Sequence, residues 1–454
     1  MARKRDLPPA WDEARLGELL RKARTPAANE ALSRADDDKH YLSWDEFRRR
    51  PVPDGWTPEE LWTVVHGRRL VMGEWMEGLN SKSGVPFSLV HSRPLRAVLH
   101  RIDTRERLWE GVLRLRRQPG APDSEQTYQL MAGIEEAHSS SAIEGALTTR
   151  REARDLIRTG NTPRNRSERM VLNNFHTLQR LTEWTESPLT PGMLLQIQEE
   201  ITAGTLEDPD DVGRFRKDDY VRVEDRMTGE IVHQPPAWKE LPERMDRLCA
   251  FANAQDADTT KFVHPIIRAI LLHHQLAYDH PFGDGNGRTA RALFMWSVLR
   301  SRYWWFRSLS ISRAVNHSKQ RYYRSFVDVQ ADRGDATYFV RHQLRCIEQE
   351  IERLGVFLAE RQRIADRSRE HLQIEAILNA RQVAIIAHVR EKPETTFTAK
   401  GHEQFHGVSQ ATAWKDLTRL VEAGLLEENR GAGRRIQYLP TARLKRFAAE
   451  PLGN

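Results

Sequence analysis

Three glycines fall within five residues, Gly283, Gly285 and Gly287, and the loop they punctuate is squeezed between two stretches of helical apolar spacing. The spacing predicts one helix over 265–278 and another over 288–299, so the chain reverses in the few residues between them. Residues 280–291 read His-Pro-Phe-Gly-Asp-Gly-Asn-Gly-Arg-Thr-Ala-Arg. Without Cβ atoms, the loop lets an anion come close to the main-chain N–H groups at the start of the second helix. Arg288 and Arg291 lie one turn apart on that helix, so both guanidinium groups can face the same phosphates. Asp284 offers a hard oxygen to Mg²⁺, which prefers one or two carboxylates together with phosphates. His280 has an unperturbed pKa of about 6.5 and can take a proton from a hydroxyl at neutral pH. A Gly-x-Gly loop alone is an ordinary turn, and a single histidine at a helix end is usually structural. What constrains the reading is that base, metal ligand and phosphate cradle fall within twelve residues.

The remaining composition bounds the setting. At 454 residues, 39% hydrophobic and 30% charged, the chain is long enough for two to four domains and too charged for a membrane protein. The 70 Lys and Arg nearly cancel 64 Asp and Glu, and a net charge of +6 does not by itself demand nucleic acid. The basic start has no apolar run behind it, and no stretch is long enough to span a bilayer, so a cytoplasmic setting is expected. Cys249 and Cys346 are too few for a disulfide framework or a cysteine-rich metal site.

Along the chain, residues 1–90 show little sustained periodicity beyond 59–67 and suggest no chemistry. Residues 91–355 are dominantly helical, with three- and four-residue spacing over 98–115, 170–182, 193–201, 245–252 and 266–277. Two short β-prone segments, 220–223 and 231–234, flank a turn-like 224–230, and Pro235-Pro236 stops the second. A small hairpin within a helical domain is expected. A connecting helix follows over 356–375, then a compact unit over 376–454.

The run 280–291 resembles the Fic family, whose pattern is His-x-Phe-x-(Asp/Glu)-Gly-Asn-(Gly/Lys)-Arg-x-x-Arg, and meets every specified position. The resemblance implies a mainly α, Fic-type domain that transfers AMP from ATP to a Ser, Thr or Tyr hydroxyl of a target protein or of itself. It implies His280 as base and Asp284 as Mg²⁺ ligand. Gly285, Asn286 and Gly287 would form the anion hole, with Arg288 and Arg291 on the ATP phosphates. A branch that transfers the γ-phosphate carries Lys where Gly287 stands, so nucleotidyl transfer is expected. Upstream, Ser140-Ser-Ala-Ile-Glu144-Gly145 is similar to the (Ser/Thr)-x-x-x-Glu-(Gly/Asn) inhibitory helix of autoregulated members. In that reading Glu144 pairs with Arg291, puts negative charge where the γ-phosphate belongs, and inhibits in cis. The hairpin matches the family's flap, whose edge can pair with an extended target segment. Tyr323, of the pair Tyr322-Tyr323, resembles an adenine neighbour. His264, His273 and His274 read as core or surface residues rather than a metal cluster.

Beyond the connecting helix, helices are expected over 377–389, 398–406 and from Ser409 to about 423. Ala413, Leu417, Leu420 and Val421 would be buried, with Gln410, Thr412, Lys415 and Trp414 outward. Strands then flank a turn at 431–435. This resembles a winged helix-turn-helix. With 12 Lys and Arg against 9 Asp and Glu over 371–454, DNA binding stands beside protein docking or a homodimer. Two rival functions remain at this stage. One is a DNA-binding regulator with a nucleotide-sensing loop; the other is a phosphodiesterase that removes AMP from a modified protein.

Overall fold

The computed structural model describes all residues except 1–7, 10–12, 38–39, 116–123, 225–228, 255–261, 372–377, 431–435 and 450–454. The N-terminal region, for which the sequence suggested little regular structure, contains α1 (Glu13–Lys22), α2 (Pro26–Ala35), α3 (Trp44–Phe47) and α4 (Pro58–Met72). An antiparallel hairpin follows, β1 (Gly73–Asn80) and β2 (Pro86–Val90). Thr57 starts α4 with a reciprocal bond to Glu60, and Pro58 occupies the first helical position, where no amide is missed. Leu61, Trp62, Val64, Val65 and His66 are all buried, so α4 is covered on every side and leaves no one-sided stripe in the sequence. Leu19, Leu32, Trp44, Phe47, Trp56 and Trp62 form a local core. Arg69 ties it to the rest: its buried guanidinium donates to Asp36, the Leu42 carbonyl and the Tyr338 hydroxyl (2.6 Å), and lies 3.8 Å from the Tyr41 ring centroid.

The central body is helical: α5 (Arg93–Leu115), α6 (Ser124–Ile143), α7 (Arg150–Thr159), α8 (Arg166–Arg180) and α9 (Pro191–Thr202). A second hairpin, β3 (Val223–Glu224) and β4 (Ile231–His233), pairs Val223 with His233 and Glu224 with Ile231. Residues 225–228 of the expected turn lie outside the described residues. Next come α10 (Leu241–Asn253), α11 (Pro265–Asp279), α12 (Asn286–Arg300), α13 (Ile311–His317), α14 (Lys319–Ala331) and the long α15 (Thr337–His371). α11 and α12 are buried almost all round and form the axis of the main core, with Ile267, Leu271, Phe282, Leu293 and Trp296 at its centre. Met76, Leu79, Phe87, Leu89 and Val90 of the first hairpin belong to this core too.

The C-terminal unit comprises α16 (Ala380–Glu391), α17 (Ala399–His406), α18 (Gln410–Glu422), β5 (Leu426–Arg430), β6 (Ile436–Pro440) and α19 (Ala442–Ala449). Ser409 Oγ accepts the Thr412 amide and starts α18, and Gly424, at φ +68°, lets the chain leave it. Ala413, Leu417 and Leu420 are buried and Val421 half-buried, while Gln410, Trp414 and Lys415 are exposed. The expected turn at 431–435 lies outside the described residues. α17 rests on the central body: Phe405 packs against the cluster of Leu130, Ile134, Ala137 and Ile157, and Arg158 reaches His388 (2.6 Å to Nε2). Among the described residues no helix is long and apolar enough to cross a membrane.

Candidate active site

The site forms where α11 stops and α12 starts. His280 caps α11 in the left-handed region (φ 47°, ψ 57°), uncommon for a residue with a Cβ, and this swings its imidazole out of the helix line. Its Nδ1 lies 3.1 Å from the Ala277 carbonyl. A carbonyl only accepts, so Nδ1 carries the proton and Nε2 keeps its lone pair. Burial pushes the imidazole down to about 4, so it is neutral at pH 7, as a base must be.

The loop from 281 to 286 is held by its own side chains. Asn286 Oδ1 accepts the Phe282 amide (2.9 Å) and Nδ2 donates to the Phe282 carbonyl (2.8 Å). The carboxamide expected to line an anion hole is therefore engaged in clasping the loop, and the main-chain amides are left to face a ligand. Gly285, at φ +86°, packs against Thr202, where a Cβ would come within 2.6 Å of Cγ2. Gln198 bridges from α9: Nε2 donates to the Asp284 carbonyl (3.2 Å) while Oε1 accepts the Gly213 amide (2.6 Å).

Arg288 is fully buried, with Nη1 donating to the Ile201 carbonyl (3.2 Å); among the described residues its Nε and Nη2 make no hydrogen bond, Nη2 standing 3.7 Å from Asp284 Oδ1. Arg291 donates Nε to Ser140 Oγ (2.8 Å) and Nη2 to the Ser140 carbonyl (2.9 Å) and Glu144 Oε1 (2.8 Å), and among the described residues no acceptor lies in hydrogen-bonding geometry to its Nη1. Buried donors without partners are rare in folded proteins, and three on two adjacent arginines mark a place for an anion. Glu144 stands just past the end of α6. Its Oε1 lies so close to Gly287 that a Cβ there would collide with it. The carboxylate thus sits against the N-terminal turn of α12. Burial pushes this carboxyl up, but Arg291 outweighs it and the group lies below the ordinary carboxylate range. Gly145 turns the chain away at φ +97°.

Asp284 is about half exposed; Oδ2 pairs with Arg166 (3.2 Å) and Oδ1 accepts the Gly285 amide (2.5 Å). One hard-oxygen carboxylate beside a phosphate cradle suits Mg²⁺, which fills its other positions with phosphate and water. Among the described residues no three His, Cys, Asp or Glu side chains are grouped to hold a metal ion. His264 pairs with Asp103 (3.0 Å) and His273 with the Tyr322 hydroxyl (2.9 Å), and His274 is buried among aromatic rings. Tyr323 is 40% exposed on α14, with the Lys319 ammonium 5.9 Å from its ring centroid. Lys319 also donates to the Ile143 carbonyl at the end of α6 (2.6 Å). The hairpin leaves Tyr220, Ile231 and Val232 exposed. Sequence reading missed Gln198, Thr202, Arg166 and Lys319, which come from distant elements and carry no local pattern.

Residues 188–298, which span this loop and both its helices, match the Fic/DOC family. The protein adenylyltransferase Fic of Nematostella vectensis is 34% identical over 144 residues, 32% of this chain and 29% of that protein. The protein of the same name from Culex quinquefasciatus is 31% identical over 145 residues, 32% of this chain and 25% of the relative. The chain thus spans less than a third of the curated relatives it matches. Among solved structures, a Fic family protein from Desulfovibrio desulfuricans G20 aligns at TM-score 0.48 and 19% identity, over 77% of this chain and 97% of that one. Fic-1 from C. elegans aligns at 0.48 and 20%, over 77% and 94%. The loop, most of its two helices and the buried Arg288 and Arg291 thus lie within the segment that is similar to the Fic/DOC family.

Proposed function

We propose that this chain is a protein adenylyltransferase that moves AMP from ATP to a protein hydroxyl and is inhibited in cis by Glu144. The observation that carries the reading is the pair of buried arginines whose open donors surround the α12 N-terminus, with a carboxylate of the same chain lying against them. In the active arrangement the arginines bind the β- and γ-phosphates, and the main-chain amides of residues 285–287 steady charge on the transferring group. The target hydroxyl gives its proton to His280 Nε2 as its oxygen attacks the α-phosphorus. The new O–P bond forms in line with the breaking bond to the β-phosphate bridging oxygen, and pyrophosphate leaves. Asp284 would hold Mg²⁺, which when bound neutralises phosphate charge and screens the leaving group. The hairpin edge would align the target main chain.

Inhibition is electrostatic. While Glu144 occupies the cation and helix end meant for the γ-phosphate, ATP loses a ligand and meets like charge, so its α-phosphorus is misaligned. Residues 380–449 we read as a winged helix-turn-helix, because three helices and an antiparallel hairpin follow in that order and the third helix shows an exposed Gln410, Trp414 and Lys415. AMP removal is a second reading, favoured by one observation: the Glu144 carboxylate lies against Gly287 at the start of α12, in the loop that His280 opens, where a carboxylate can orient water.

ATP labelled on the α-phosphate, set against γ-labelled ATP, tests the proposal. We expect α-label to enter protein, strongly raised in Glu144→Gly, and the gain to vanish when Arg291→Ala is added. Incorporation of γ-label instead overturns the reaction. A Glu144→Gly gain that survives Arg291→Ala keeps inhibition and rejects its partner.

A further inference from the structure

The mechanism above makes no use of Arg216, a buried cation beside the base. Arg216, 6% exposed, precedes the β3–β4 hairpin, and its guanidinium is spent entirely on three separate pieces of chain. Nε donates to the His280 carbonyl (3.0 Å). Nη1 donates to the Asp218 carbonyl (2.6 Å) and to Asp219 Oδ1 (2.9 Å), where the chain enters the hairpin. Nη2 donates to the Pro236 carbonyl, where it leaves. The backbone joins in, since the Arg216 amide donates to the Pro281 carbonyl (2.8 Å) and the Phe215 ring stacks on Phe282 at 5.6 Å.

His280 has left the helix through a left-handed conformation, so its carbonyl cannot continue the α-helical ladder and needs a donor from elsewhere. Arg216 supplies it, and with the same planar fork holds both stems of the hairpin. A lysine could not do this, because one ammonium cannot reach three diverging acceptors in a fixed plane. We infer that Arg216 is a positioning residue that locks the hairpin edge to the backbone of His280, so that a hydroxyl carried by the edge arrives in register with Nε2. The inference rests on the proposed transfer reaction and deepens it. Misplacement of reacting groups by about 1 Å costs about 100-fold, so a loosened fork should lower turnover sharply. ATP should bind as before, because its proposed ligands are on α12 and the loop.

The test uses full-length protein carrying Glu144→Gly, in which transfer is measurable, with Arg216→Lys and Arg216→Gln added in turn. We expect kcat for α-label incorporation to fall at least ten-fold in both, with KM for ATP within two-fold and the protein still folded at the assay temperature, although its melting temperature falls because buried carbonyls lose their donor. Full kcat in both variants overturns the inference, as does a loss that comes with weakened ATP binding or with unfolding at the assay temperature, which would make Arg216 structural only. His280→Ala in the same background separates the two levels. If it still transfers label, the reaction as proposed fails; if it is dead while Arg216→Gln keeps full kcat, only the role of Arg216 fails.

Discussion

Asp416 and Glu144 are both carboxylates taken into the protein beside an arginine, and they differ in how completely the surroundings close on them. Asp416, in the C-terminal unit, is bound on both oxygens: Asn379 (2.5 Å) and Arg381 (3.2 Å) on Oδ1, Arg381 (2.5 Å) and His402 (3.2 Å) on Oδ2. Even its carbonyl accepts from Gln382 (2.9 Å). Glu144 stands among cations that, among the described residues, keep donors without a hydrogen bond: the Nη1 of Arg291 and the Nε and Nη2 of Arg288, the last only in a 3.7 Å ion pair with Asp284. A closed set stabilises one arrangement of α16, α17 and α18. An open set is a cost that the fold alone does not explain, and such costs gather where a ligand is to be bound. The comparison separates a charge cluster that holds structure from one that we propose does chemistry, and each can be perturbed without the other.

The largest effect belongs to the open cluster. His280→Ala removes the lone pair that takes the hydroxyl proton, so label transfer should fall by about 100- to 10,000-fold with little change in melting temperature. Next is the closed cluster. Asp416→Ala removes the carboxylate on which Asn379, Arg381 and His402 converge, and breaking a buried pair costs about 3–5 kcal/mol. The C-terminal unit should melt early in calorimetry, and hydrogen exchange should speed up over 380–422 while α11 and α12 stay protected. Loss of transfer at 25 °C equal to that of His280→Ala, with the C-terminal unit still folded, would erase the distinction between the clusters.

A smaller effect should appear where the two regions touch. α17 lies on α7 and on α6, whose C-terminal end leads into Glu144, and Phe405 is half-buried against the apolar cluster to which α6 gives Leu130, Ile134 and Ala137. Phe405→Asp places a charge in that contact and should loosen the end of α6. Labelling is expected to rise on the order of five-fold, at the low end of coupling energies between distant sites, and less than in Glu144→Gly. The same substitution in the Glu144→Gly background should add nothing, since the block is already gone.

What could be read in advance follows from where each contact lives in the chain. Residues 280–291 were legible because base, carboxylate and cations are contiguous and the turn demands glycine. The pair Glu144–Arg291 was legible only through resemblance, since nothing in the residues between predicts that α6 ends there. Helices with a one-sided stripe, such as α8 and α18, were found close to their observed ends. α4 was glimpsed only at 59–67, because a helix buried all round has no stripe. The first hairpin escaped because Trp75 is half-exposed, Glu74 exposed and Met76 buried within one strand, and strict alternation is lost. Asn286 entered the expected anion hole only through the resemblance, whereas both ends of its carboxamide close on the loop backbone. Arg216 carries no signal of its own in the sequence, because its partners at 218, 219, 236 and 280 converge only in the folded chain.

The smallest predicted effect concerns pH, and it sharpens the comparison because it depends on how far the base is shielded. Burial holds His280 near about 4, so the neutral form that accepts a proton dominates throughout the mildly acidic range. The sign follows from the role: a base loses activity as pH falls through its own pKa. An unperturbed imidazole of pKa about 6.5 would be roughly one-quarter neutral at pH 6, predicting about a four-fold drop from its high-pH plateau. With the depressed value nearly all the imidazole is still neutral at pH 6. For Glu144→Gly at saturating ATP and Mg²⁺, kcat should therefore change by less than about two-fold between pH 7.5 and 6. Removing the Glu144 charge, which raises the histidine, should push its pKa lower still and flatten the profile further. A four-fold fall with a midpoint near 6.5 would show that water reaches the imidazole freely in the working enzyme, and that the base is less enclosed than its place between α11 and the hairpin implies.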